Sequence, residues 1–324
     1  MPVSLLVVSL ILLFAAELLY FKIADHYNII DKPNHRSSHT AITIRGGGII
    51  FPFAILAFSF YAGFVYPYFL VGLLLISFIS FMDDIRELSS KVRMLFHITA
   101  VALLFYQLHL FVFPVYWILL ALVFVIGTIN AINFMDGING ITGGYGLVTL
   151  VTLQYINAVR VHFTADGFLI VAILAVLVFN FFNFRTKAKC FAGDVGSVSL
   201  AFIILFFLMQ LIIKTHNPGY FALLLLYGLD AVSTIVFRLF RKENIFKAHR
   251  SHLYQFLANE KKLPHVLVTS LYALVQLGIN ICWLAFLSAS NFKLAAVLVL
   301  VTGLFIALRF LLEGPRRLLK PAKI

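Results

Sequence analysis

Charged residues are scarce in this chain. They make up 12% of its 324 residues, while hydrophobic residues make up 62%. An ordinary soluble domain is about a quarter charged, so this composition excludes one. Cysteine is nearly absent. Cys190 and Cys282 are far apart, which excludes a disulfide framework and a cysteine-based metal site. Short segments alternating apolar and polar residues are missing, which excludes a transmembrane barrel. Low-complexity tracts and internal repeats are missing too, and no stretch is polar enough for a separate soluble domain. Residues 1–324 therefore read as one membrane domain.

What the sequence has is long apolar runs. Mean hydropathy is +1.01, and the runs are long enough to be spanning helices of about 20 residues. The expected fold is all-α, a polytopic integral membrane protein with 10–11 transmembrane helices. Eleven spans can be placed, at roughly 2–21, 46–62, 68–82, 93–108, 115–131, 140–157, 167–182, 195–213, 219–237, 265–287 and 293–312. The start, MPVSLLVV, has no basic n-region and no small-residue cleavage pattern follows, so it reads as a first span rather than a removed signal.

The connections alternate in character. One set is short and nearly uncharged. The other is longer and polar, and it holds 22 of the 25 Lys and Arg. Cytoplasmic loops collect Lys and Arg, so the N-terminus is expected outside and the C-terminus in the cytoplasm. The net charge of +12 then reflects topology and calls for no nucleic-acid partner. Of the 13 acids, only Glu17 and Asp166 map away from the cytoplasmic side. Acids gathered among basic loops suggest a polar site at the inner membrane face.

Five stretches carry candidate chemistry, each with a plainer reading beside it. Asn130, Asn133 and Asp136 continue the fifth span at steps of three, so neighbours lie about 60° apart on one helix face. Gly137, Gly140, Gly143 and Gly144 follow and let backbone approach a ligand closely. The plainer reading is a helix-end cap and turn. Asp83 and Asp84 sit where the third span leaves the membrane. Adjacent carboxylates repel, so such a pair is often held by a divalent cation or by Arg and Lys. The plainer reading is a loop start that caps the next helix. Asp194, between Gly193 and Gly196, opens another span, either as an N-cap or as part of an anion cradle at a helix N-terminus. There a hard cation shared with phosphate oxygens would fit, because Mg²⁺ is usually held by one or two carboxylates plus substrate phosphates.

The loop from Asp31 to Gly48 brings Arg36, His39 and Arg45, which could grip phosphate or simply be a polar loop. The loop from Arg238 to Pro264 holds His249, Arg250 and His252. The two His are at i and i+3 and share a helix face. With no Cys near and no HExxH, they suit a diphosphate better than zinc. Upstream, Asp230, Thr234, Arg238 and Arg241 share one helical face. Asp230 falls inside the hydrophobic slab, which marks function or a buried ion pair. His97, alone in the fourth span, reads as structural.

Together these motifs, in this order, resemble the polyprenyl-phosphate N-acetylhexosamine-1-phosphate transferase family. The resemblance rests on Asp83-Asp84, N-x-x-N-x-x-D-G at Asn130 to Gly137, F-x-G-D-V-G-S at Phe191 to Ser197, and H-R-S-H at His249 to His252. It implies a single transmembrane transferase domain that moves a sugar-1-phosphate from a UDP-sugar to undecaprenyl phosphate, with Mg²⁺ or Mn²⁺, and releases UMP. It further implies Asp194 as metal ligand with Asn133 beside it, and Phe191 stacked on uracil. Asn130, Asn133 and Asp136 would contact the nucleotide, and Asp83 would be a base next to Asp84. Arg36, His39, Arg45, His249, Arg250 and His252 would contact phosphates or sugar. The enzyme would lie in the bacterial cytoplasmic membrane with its site on the cytoplasmic face. Its nearest branch by motif starts O-antigen, teichoic acid or related polymers, because the late motif is not triple-His. The favoured donor is UDP-N-acetylglucosamine. UDP-N-acetylfucosamine and UDP-N-acetylquinovosamine are the alternatives. Apolar span faces leave a homodimer open. A transporter is the rival class, but it usually keeps its site near the bilayer midplane between repeats. A non-catalytic scaffold would not need four such aspartates in a membrane.

Overall fold

The computed structural model describes residues 1–31, 42–245, 249–286 and 291–320. It is helical nearly throughout. The long helices are α1 (Val3–His26), α2 (Ile50–Ala62), α3 (Pro67–Ile85), α4 (Ser90–Gln107), α5 (Val115–Met135), α6 (Ile141–Val159), α7 (Asp166–Asn183), α8 (Gly193–Thr215) and α9 (Leu225–Phe240). After a single turn, α10 (Leu253–Gln255), come α11 (His265–Phe286), α12 (Asn291–Glu313) and the short α13 (Pro315–Leu319). Each expected span has its helix. Among the described residues, eight helices are long and apolar enough to cross a membrane. The segment Gly47–Ala62 is apolar but shorter, and α4 and α6 carry more polar residues.

Local chemistry sets the boundaries. Gly63 in the left-handed region ends α2, a common helix stop because a glycine has no Cβ to clash there. Pro67 opens α3, where its missing N–H costs nothing. Ser89 Oγ caps α4 by accepting from Val92 N at 3.4 Å. Several helices also outrun their apolar stretches. α1 continues to His26 and α5 to Met135, and α3 carries Asp83 and Asp84 in its last turn.

The core is built around α8. In its 18-residue apolar window 83% of residues are buried, against 17% in α1, α5 and α12. Those three are peripheral, with apolar faces turned out toward lipid. On α8, Phe206 stacks on Phe69 of α3 at 3.8 Å, and Phe202 lies beside it.

The ninth expected span is broken. Pro218–Leu224 is a 3₁₀ turn before α9. In a membrane its freed backbone groups need partners. Gln276 of α11 supplies them: its Oε1 accepts from Leu226 N at 2.9 Å and its Nε2 donates to Ala222 O at 3.1 Å. Tyr145 donates to the same Oε1, and Asn280 passes the network on to Thr152.

The two ends of the bundle differ. At one end Asn157 binds Asp166 and the backbone at Phe163 and Thr164, and Tyr66 meets Thr164 at 3.0 Å. At the other end lie the C-termini of α3, α5 and α7 and the N-termini of α4, α6 and α8. A two-residue hairpin pairs Ile30–Asp31 with Thr43–Ile44, and Ile44 bridges in parallel to Cys190. This lays the segment before α2 across the start of α8. Glu17, which mapped away from the polar side, belongs to this end. It is fully buried in α1 and accepts a weak hydrogen bond from Cys190 Sγ at 3.7 Å.

Candidate active site

The N-terminus of α8 is the organising feature. Two N–H groups in its first turn need acceptors, and the acceptor comes from another helix. Asp84 Oδ1 accepts from Asp194 N at 2.8 Å, and Asp84 Oδ2 from Val195 N at 2.9 Å. Arg45 Nε donates to Asp84 Oδ1 at 2.6 Å. A carboxylate is favoured at this positive end of the helix dipole, and the ion pair completes its neutralisation. Such close approach depends on glycine. Gly193 has φ +71°, and a Cβ there would meet Asp84 Oδ2 at 2.6 Å and Gly46 at 2.9 Å. Gly48 and Gly196 are pressed backbone to backbone, with no room for a Cβ on either. Gly47 N and Gly48 N donate to Phe191 O and Ala192 O at 2.8 and 3.1 Å.

Asp83 faces the other way. Its Oδ1 accepts from Leu88 N at 2.7 Å, and its Oδ2 pairs with Arg93 at 2.7 Å. Asp194 lies between the two guanidiniums, 3.6 Å from Arg93 and 3.8 Å from Arg45. Side-chain exposure sorts the three carboxylates: 0% for Asp84, 8% for Asp83 and 23% for Asp194. Arg45 and Arg93 are 34% and 38% exposed. Asp194 therefore has the most open carboxylate, flanked by cations that still face solvent. Burial works against the charge on Arg45, but Asp84 and Asp194 outweigh it and hold the guanidinium more firmly protonated than usual.

The asparagine ladder is helical to Met135, as its spacing requires. Asn130 is turned back on its own helix and donates to Ile126 O at 2.9 Å. Asn133 is half-buried in the last turn, and its carbonyl accepts from Asp136 N. Asp136 accepts from Thr142 at 2.7 Å. Burial pushes Asp136 up to about 6, the Thr142 hydrogen bond pulls it down, and nearby Asp84 raises it further. Asp136 is thus in electrostatic reach of the carboxylate centre.

The late histidines form a second cluster. The His249 and His252 rings lie 5.0 Å apart, and His249 is 6.3 Å from the Phe134 ring. Burial pulls His249 down to about 4, and the neighbouring His252 adds to that. Its Nδ1 is buried without a hydrogen-bond partner among the described residues. Arg250 is half-buried beside it. His252 is 2% exposed, and its Nδ1 lies 3.5 Å from Asp230. Of the sequence-derived candidates, the structure joins Asp83, Asp84, Asp194 and Arg45 in one centre and His249 and His252 in another. Tyr254 links the second to the loop that follows α5: its hydroxyl donates to Phe134 O at 3.0 Å and packs on Gly137. Phe191 is half-buried at the first centre, its N–H given to Ile44 O. Arg36 and His39 lie outside the described residues.

Sequence reasoning missed Arg93; its place in the first turn of the helix that follows Asp83 was the available signal. It also missed Asn183, whose amide ties the site loops together. Asn183 Oδ1 accepts from Gly140 N and its Nδ2 donates to Cys190 O, both at 2.7 Å.

Among the described residues no group of three or more His, Cys, Asp or Glu forms a ready metal cage. The open Asp194 with Asp83 nearby suits a hard cation that takes one or two carboxylates and fills its shell from phosphate oxygens and water. The donor set fits Mg²⁺ in that shared mode.

Fold and site define a polytopic helical membrane protein with a carboxylate–guanidinium centre at one end of its bundle. Residues 66–212, just under half of the chain, match the family model described as Glycosyl transferase family 4. This family transfers a sugar-1-phosphate to a lipid carrier, and the match supports that class of reaction for this chain. The matched segment runs from the entry to α3 through most of α8, so it carries Asp83, Asp84, Asn130, Asn133, Asp136 and Asp194. No curated protein matches the chain.

Proposed function

We propose that this protein transfers an N-acetylhexosamine-1-phosphate from a UDP-sugar to undecaprenyl phosphate and releases UMP. The observation that carries this reading is Asp194. It is an open carboxylate at a helix N-terminus, flanked by two half-exposed guanidiniums. A site that joins two anions needs cations that can leave their carboxylates for phosphate. Arg45 and Arg93 are held at 3.8 and 3.6 Å from Asp194, longer than a tight pair.

An oxygen of the lipid phosphate attacks the β-phosphorus of the donor. The bond from that phosphorus to the bridging oxygen breaks, and UMP leaves with the bond's electron pair. No proton transfer is obligatory, because the attacking phosphate is already largely ionised near neutral pH. Catalysis is then positioning and charge stabilisation. Arg93, anchored on Asp83, and Arg45, anchored on Asp84, stabilise the equatorial oxygens. Mg²⁺, when bound by Asp194 with Asn133 near, would neutralise the diphosphate. Asp83 acts by fixing Arg93 rather than as a base. Asp136, Asn133 and Phe191 border the nucleotide, and His249 and Arg250 meet the diphosphate or sugar. His249, held neutral by its burial, can meet an anion as an N–H donor.

The site lies at the cytoplasmic face of a bacterial inner membrane in this reading. The acceptor headgroup reaches it while the polyprenyl tail stays in lipid. UDP-N-acetylglucosamine is the favoured donor for the branch suggested by H-R-S-H, which starts surface polysaccharides. The test is UMP release by the purified protein with undecaprenyl phosphate and Mg²⁺. UDP-N-acetylglucosamine, UDP-N-acetylfucosamine and UDP-N-acetylquinovosamine are compared. Lipid- and metal-dependent release from one donor establishes the reaction and names the sugar. A folded protein that binds no uridine nucleotide overturns it.

A further inference from the structure

Arg309 stands apart from every motif described above. It interrupts the last apolar run, VTGLFIALRFLLE, and belongs to α12, well outside residues 66–212. It is 1% exposed. A buried arginine in a spanning helix is costly and marks function by default. Here every face of the guanidinium is used. Nε donates to Glu313 at 2.6 Å. Nη1 donates to Ser233 and Thr234 of α9 at 2.8 Å each and lies 3.7 Å from Asp230. Nη2 donates to Ser251 O at 2.9 Å.

Ser251 is the residue between Arg250 and His252. Its hydroxyl is also approached by Arg241, at 3.3 Å. Two residues further on, the backbone turns to Asp230. Leu253 N donates to Asp230 Oδ1 at 2.9 Å and Tyr254 N to Oδ2 at 3.4 Å. Tyr272 of α11 donates to Oδ2 at 2.7 Å. The backbone on either side of His252 is therefore gripped by opposite charges: its preceding carbonyl by Arg309, its following amides by Asp230. Both partners lie on spanning helices. The His252 ring rests against Asp230, and the His249 ring lies on His252. From α12, Glu313 also binds Arg317, which pairs with Glu260 after the motif.

We propose that Arg309 is a positioning residue for the H-R-S-H segment. Together with Asp230 it makes a charge clamp that fixes where His249 and His252 stand, so the last membrane helix is part of the active-site machinery. A segment held only by its own turns would change rotamer and register freely. Clamped on both sides of His252, it presents the His249 imidazole at one place beside Phe134 and the nucleotide-side loop. That this place serves substrate rests on the transferase reading; the clamp itself does not.

The test reads the histidines directly. Diethylpyrocarbonate modification of the detergent-purified protein, mapped by mass spectrometry, gives a rate for each imidazole. His97, buried 8% exposed in α4, reports global loosening. Arg309→Met is expected to raise the rates at His249 and His252 at least fivefold and leave His97 slow. Arg309→Lys, which keeps a charge but not the fork, should fall between. If Arg309→Met does not fold, Arg309→Lys and Ser233→Ala carry the measurement. In the turnover assay Arg309→Met should raise KM for the UDP-sugar about tenfold more than it lowers kcat. Unchanged rates at His249 and His252 in a folded variant overturn the clamp, as do rates that rise equally at His97. Accelerated His249 in Arg309→Met, together with a folded wild-type protein that shows no turnover with any UDP-sugar, leaves the clamp standing and removes the transferase reading.

Discussion

Two aspartates at the same end of the bundle, Asp194 and Asp230, are surrounded by much the same chemistry and do opposite things. Both have arginine near, and both are next to backbone amides. Asp230 is closed: its side chain is 0% exposed and two amides and a tyrosine fill its oxygens. Asp194 is open, 23% exposed, with its arginines a little too far for tight pairs. Asp84 shows how the two are related. It takes the closed role inside the open centre, satisfying the α8 N-terminus so that Asp194 need not. A fully satisfied charge holds structure, whereas a partly satisfied one is available to a ligand.

The sharpest break of that comparison is a double dissociation. Asp230→Ala leaves two amides and the Tyr272 hydroxyl buried without their acceptor and removes one of the two carboxylates beside Arg309, which should cost about 3–5 kcal/mol of stability. Thermal unfolding in detergent would show it as a large drop in midpoint. Asp194→Asn should do the reverse, cutting UMP release roughly 10²–10³-fold with the midpoint little changed. If both variants merely unfold the protein, the distinction between open and closed fails. Next in size is Arg93→Gln. Losing a charge-assisted contact to phosphate should cost about 1.5–3 kcal/mol, seen as a weaker apparent affinity for donor or acceptor in steady-state kinetics. Gly196→Ala should act through geometry, pushing Gly48 away and lowering turnover more than it lowers unfolding temperature. The smallest effect sharpens the comparison by pH. Asp136 is raised from the usual 3.8 to about 6, so its contribution to stability is full below 3.8 and lost as pH rises through 6. Asp136→Asn should therefore stabilise the protein at pH 8 by about 1 kcal/mol, the two-unit shift being discounted because water reaches the half-buried carboxylate. The gain should shrink as pH falls through 6, while turnover drops at every pH.

Much of this was legible in the sequence, for a physical reason. Spanning helices are announced by apolar length, so all eleven long helices could be placed from composition alone. Their ends could not, because polar residues such as Asp83 and Asp84 continue a helix when partners elsewhere receive their side chains. The break before α9 was invisible because its compensation, Gln276, lies some 50 residues away in the chain. Of the site, the carboxylates stood out as expensive groups in an apolar chain. Their division of labour did not, because Asp83 and Asp84 are adjacent and alike until one is seen to cap α8 and the other to hold Arg93. Asp230 was readable as function or ion pair, and the structure gives the ion pair. Its partner Arg309 lies next to a basic tail, where nothing in the sequence tells it from the cations that follow.

The cap that Asp84 places on α8 has a consequence for how the protein is made. A membrane chain is inserted from its N-terminus, so Asp84 enters long before the amides of Asp194 and Val195 exist to receive it. Until α8 arrives, that carboxylate has Arg45 as its partner but no helix terminus to cap. A chain without α8 therefore lacks the assembled carboxylate–guanidinium centre. Assembly is written into the geometry as a sequence of arrivals, with the centre completed late.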